Sequence, residues 1–100
     1  MSNVPAQALI LMNDPFVHEQ CGHWAGQLLE QHDDPEQRIT VMYRAALARP
    51  PSAQERELSL NFIHAQMEAH RRLDHPEPEL AAWSDLGHAL INVKEYIYIP

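Results

Sequence analysis

Helix punctuation constrains this chain more than any other feature. Asp14-Pro15 and Asp34-Pro35 each join a side chain able to cap a helix to a proline at the first helical position, where its missing N–H does no harm. Arg49-Pro50-Pro51 stops any helix that precedes it, and Ser52-Ala53-Gln54-Glu55 fits a capping box that starts another. His75-Pro76-Glu77-Pro78 reads as a stiff, extended linker. These signals divide the chain into five segments, and the apolar residues within each recur every three to four positions.

The opening Asn3 to Met12 reads as a short helix that ends near Asn13. Val17, Cys21, Trp24, Ala25, Leu28 and Leu29 make one apolar stripe on a second helix over residues 15–31. Ile39, Met42, Tyr43, Ala46 and Leu47 mark a third. The fourth, from the capping box to about Leu73, carries two apolar groups: Leu58, Phe62, Ala65 and Ala69 on one side, and Leu60, Ile63 and Met67 nearly opposite. Leu80, Trp83, Leu86, Gly87, Leu90 and Ile91 give a fifth helix that ends near Asn92. The alternation in Val93 to Pro100 suits a last turn and an extended tail without a sheet partner. The expected fold is therefore all-α: a compact bundle of about five helices with an extended C-terminal tail, forming one domain over residues 1–100.

A chain of 100 residues holds one core. Seven Lys and Arg against fourteen Asp and Glu leave a net charge of -7, which repels phosphate backbones and anionic lipid surfaces, so nucleic-acid partners are not expected. The longest apolar run, Ala8 to Met12, is far short of the roughly 20 residues that span a bilayer, so no membrane insertion is expected either.

The chemistry-bearing residues fit a structural reading. A single cysteine, Cys21, rules out an internal disulfide and a four-cysteine zinc site. His18, Cys21 and His23 are metal-ligand types, but on a helix His23 lies about 180° from His18, so the three do not converge. Cys21-Gly22-His23 lacks the second cysteine of a c-type haem attachment motif. No nucleophile elbow, glycine-rich phosphate loop or EF-hand loop is present. Carboxylates such as Asp34, Glu36 and Glu55 occupy caps and first helical turns, where the helix dipole favours negative charge. No catalytic, metal or cofactor-binding residue is assigned, and no cofactor is expected. The surplus apolar positions Leu60, Ile63, Met67, Tyr96 and Tyr98 are the candidates for contact with another protein domain or with a second copy in a homodimer.

Several stretches carry a family resemblance: Ala6 to Val17, Arg38-Ile39 through Tyr43-Arg44, Ala48 to Ser52, Ala82 to Leu86, Ala89 to Asn92, and Glu95 to Tyr98. In that order they resemble the C-terminal part of a planctomycete-specific domain of unknown function. Ala48 stands where that family usually has glycine, and Val93-Lys94 where it usually has Ser-Asn. Members are large exported proteins, often with a cytochrome-c-like domain. The resemblance implies a bacterial source and an extracytoplasmic setting, periplasmic or exported, and it supplies no catalytic residues.

Two functional readings follow. The first is a non-catalytic helical module that packs against partner domains or itself. The alternative is an accessory or catalytic fragment of an exported enzyme acting on polysaccharide. A pocket that brings two carboxylates, or a carboxylate and a histidine, within about 10 Å of each other would favour the alternative.

Overall fold

Proline opens three of the four helices in the computed structural model, which describes the backbone of residues 15–98 and the side chains of residues 15–93. The helices are α1 (Pro15–Gln31), α2 (Pro35–Leu47), α3 (Ala53–Arg72) and α4 (Pro78–Tyr98). At the start of α2, Asp34 accepts a hydrogen bond from the Glu36 N–H at 3.1 Å, and Pro35 follows in the first turn. At the start of α3 the capping box is complete. Ser52 Oγ accepts from the Glu55 N–H at 3.1 Å, while Glu55 Oε1 accepts from the Ser52 N–H at 2.9 Å.

The helix ends are built differently. α2 leaves helical geometry at Ala48, which adopts the left-handed conformation (φ 60°, ψ 29°) while its N–H reaches the Arg44 carbonyl, two residues before the first of the two prolines. α3 ends at Arg72, and Asp74 takes the left-handed turn (φ 57°) that sends the His75 N–H back to the His70 carbonyl at 2.9 Å.

Two expectations change. The described residues form four helices rather than five, because the helix expected before Asn13 lies outside them. The extended tail is also corrected: α4 continues without a break through Asn92 to Tyr98. No proline or glycine interrupts that stretch, and with no strand among the described residues the intrahelical bonds are the ones its backbone can make. Its β-branched and aromatic composition is a weaker preference than that.

α4 is the central element, and α1, α2 and α3 all pack against it, with α2 also touching α3. The core draws Ala25 and Leu28 from α1, Ile39, Met42, Tyr43 and Ala46 from α2, Ile63 from α3, and Ala82, Trp83, Leu86 and Leu90 from α4. Trp83, Ile39 and Met42 are fully enclosed, each worth about 1.5–3 kcal/mol or more relative to exposure. Trp24 covers the edge of this core half-buried, its ring set against Gly87. A Cβ at position 87 would stand 3.1 Å from both the Trp24 ring and the Met42 methyl, so the absence of a side chain lets α1 and α4 approach.

Polar side chains fasten the helices together. Tyr43 on α2 hydrogen-bonds Ser59 on α3 at 3.1 Å inside the core. Arg38 is buried on α2; its Nε donates to the His32 carbonyl at 2.6 Å, its Nη1 lies 3.6 Å from Glu79, and its guanidinium stands 5.4 Å from the centre of the Trp83 ring.

Candidate functional site

Gln66 and His70 are one turn apart on α3 and therefore share a face. Both reach across to Asp85 on α4. Oδ2 of Asp85 accepts from Gln66 Nε2 at 2.8 Å and pairs with His70 Nε2 at 2.7 Å. With a carboxylate as its partner, His70 Nε2 is the donor, which leaves Nδ1 of the neutral ring as a lone pair. His75, in the linker, meets the His70 ring edge-on with centroids 5.2 Å apart. Its Nδ1 accepts from the Glu77 N–H at 2.9 Å, so its own hydrogen sits on Nε2.

His70, His75 and Asp85 border a cavity of about 410 Å³ between α1, α3 and α4. His18, Glu19 and Gly22 contribute from α1, His70 from α3, His75 from the linker, and Leu80, Ala81, Ser84 and Asp85 from α4. The His18 ring also approaches His88, with centroids 6.2 Å apart. No lysine or arginine lines this space. A shallower depression continues from it along α1, sharing Glu19, Gly22 and Leu80.

Ser84 is 7% exposed, and its hydroxyl makes no hydrogen bond among the described residues. Oδ1 of Asp85 is likewise without a partner among the described residues.

Of the residues singled out from sequence, His18 borders the cavity and the others fall elsewhere. Cys21 points into the protein at 1% exposure, and burial pushes its thiol pKa up, whereas His18 and His23 lie on the surface. No three His, Cys, Asp or Glu among the described residues are placed to hold a metal ion. Of the candidate partner contacts, Ile63 is 3% exposed within this chain's own core, and Leu60 and Met67 pack half-buried against it. Tyr96 and Tyr98 sit on the last turns of α4, and their side chains lie outside the described ones. Of the opposite group on α3, Phe62 packs half-buried against the core, while Leu58 is 60% exposed and Ala65 and Ala69 are exposed, and Leu73 just past the helix is 79% exposed.

The cavity was not legible in the sequence. The one available hint was the Gln66 and His70 spacing, which places two hydrogen-bonding side chains on one face of α3. The spacing does not say that Asp85 stands opposite.

A family model described as a protein of unknown function (DUF1553) matches residues 1–63. That stretch holds α1, α2 and half of α3, with Arg38, Tyr43 and the Ala48 to Glu55 corner, while His70, His75, Ser84 and Asp85 lie beyond it. Neither a curated protein nor a solved structure matches the chain.

Proposed function

The chain belongs to this family, PSD1, and on that premise we propose that it is a non-catalytic helical module that packs against neighbouring protein domains or a second copy of itself. The observation that carries this reading is the outward apolar stripe of α3, where Leu58, Ala65 and Ala69 align at helical spacing and Leu73 follows. Two leucines more than half exposed at the ends of one helix face suit a surface that another helix covers. The buried polar groups Arg38, Tyr43 and Ser59 are meanwhile occupied in holding the helices together.

The marks of the family resemblance run in order almost to the end of the chain, which supports reading it as the C-terminal part of a larger planctomycete domain in an exported protein. No helix among the described residues is long and apolar enough to cross a membrane. The net charge of -7 does not suit a nucleic-acid partner.

Light scattering at high protein concentration tests the proposal. The expected result is a mass that rises with concentration and falls back to the monomer in a Leu58→Lys, Leu73→Lys variant. Strictly monomeric behaviour throughout would count heavily against it.

The alternative, a fragment of a polysaccharide-acting exported enzyme, has one specific observation in its favour. His70 and Asp85 stand 2.7 Å apart at a cavity that also holds Glu19, well inside the separation such a reading requires. Release of reducing ends from a polysaccharide panel, abolished by Asp85→Asn, would support it, and no release from any member of the panel would remove it.

A further inference from the structure

We propose that the cavity between α1, α3 and α4 is a binding site for a small organic ammonium ion, which goes beyond the docking role above. The argument rests on a surplus of acceptors. Asp85 Oδ1 has no partner among the described residues, the His70 Nδ1 lone pair is left over once Nε2 faces Asp85, and Glu19 adds a second carboxylate. No guanidinium or ammonium group lines the space to balance them. An anionic ligand finds no cationic partner there while the histidines are neutral, whereas an ammonium ion finds charge and acceptors together.

Ser84 supplies the independent observation. The residue is 7% exposed at the cavity wall, its hydroxyl is not among the oxygens sealed from solvent, and it makes no bond among the described residues, although the preceding helical turn offers a carbonyl. A hydroxyl held in that way is ready for a ligand's N–H. Leu80, Ala81 and the bare Gly22 give the hydrocarbon part of such a ligand an apolar wall, and the volume of about 410 Å³ suits a molecule of modest size. A bare metal ion requires ligands converging at short distances, which the described residues do not provide. Two carboxylates and a hydroxyl around a hydrated or alkyl ammonium do not need that convergence.

The test is a titration of the whole chain with putrescine, followed by amide chemical shifts, with 1,4-butanediol as the uncharged match. At pH 8 putrescine should saturate with shifts centred on Ser84, Asp85 and His70. Affinity should fall at least tenfold in Glu19→Gln and in Ser84→Ala, single-atom changes that leave the fold intact. Asp85→Asn, checked for folding by its amide spectrum, should abolish it. The diol should not bind. Equal binding of the diol, shifts spread without saturation over the acidic surface, or unchanged affinity in Glu19→Gln and Ser84→Ala would each overturn the proposal, and none of these outcomes touches the light-scattering test of the docking surface.

Discussion

Arg49 and Glu55 face one another across the Pro50-Pro51 corner as a forked pair, Nη1 to Oε1 at 2.7 Å and Nη2 to Oε2 at 2.8 Å. Oε1 of the same carboxylate closes the capping box by accepting from the Ser52 N–H. One side chain thus joins the exit of α2 to the entry of α3, and Arg49 is held in place from behind by the Tyr43 ring, whose centre lies 5.9 Å away.

Stability should therefore depend on the ionisation of Glu55. The hydrogen bonds from Arg49, and then the Ser52 N–H, lower its pKa from 4.5 to about 2. The folded-state value lies below the unfolded one, so this contribution is fully present above about pH 4.5 and is lost as pH falls toward 2. The pair is partly exposed, so solvent screening keeps the effect small. Urea midpoints measured from pH 6 to pH 2.5 should fall less steeply in Glu55→Gln than in the parent, and parallel curves would contradict the assignment.

Ala48→Gly should stabilise the protein by about 0.5–1 kcal/mol. Ala48 holds a left-handed conformation that penalises any Cβ by about 1–2 kcal/mol and costs glycine almost nothing. Ala45→Gly, on an exposed position inside α2, is the control and should cost about 1 kcal/mol by helix propensity alone. Thermal melts of the two variants should move in opposite directions, and a loss of stability in both would remove the argument.

Local signals foretold local structure well. Asp34-Pro35 and the Ser52 to Glu55 box each specify a helix end through atoms a few residues apart, and each is found where it was expected, whereas Pro78, read as the last residue of the linker, instead opens α4. α3 was harder, because two apolar groups nearly opposite each other both fit a core-facing stripe, and only the position of α4 decides that Leu60, Ile63 and Met67 turn inward. The tail misled because Tyr96, Ile97 and Tyr98 favour strands in isolation, while a strand needs a neighbour that the described residues do not place there. The cavity was least legible. Its members come from α1, α3, the linker and α4, and helical periodicity orders residues within a helix without naming what stands across from it.

Two glycines should respond oppositely to substitution. A Cβ at Gly22 meets nothing within 4 Å, so Gly22→Ala should raise stability by up to about 1 kcal/mol through helix propensity. Gly87→Leu adds a branched side chain where the first carbon already stands 3.1 Å from Trp24 and Met42. Forcing α1 away from α4 there should cost about 1–3 kcal/mol, read as a lower urea midpoint together with increased exposure of Trp24 fluorescence. A neutral Gly87→Leu would mean that the two helices are not packed as closely as described.

Arg38→Met should be among the more damaging substitutions on α2, at about 2–3 kcal/mol. The guanidinium is nearly enclosed, and its Nε caps the His32 carbonyl at the exit of α1 at 2.6 Å, so removal strands a polar group and separates α1 from α2. Its contact with Glu79 contributes far less, since that carboxylate is 56% exposed at 3.6 Å, and Glu79→Gln should cost under about 1 kcal/mol. Arg38→Lys should rescue little, because an ammonium lacks both the planar fork that reaches His32 and the flat face set over Trp83. Guanidinium unfolding of the three variants separates these contributions. A loss in Glu79→Gln as large as that in Arg38→Met would show that the ion pair, and not the bond to the His32 carbonyl, is what Arg38 supplies.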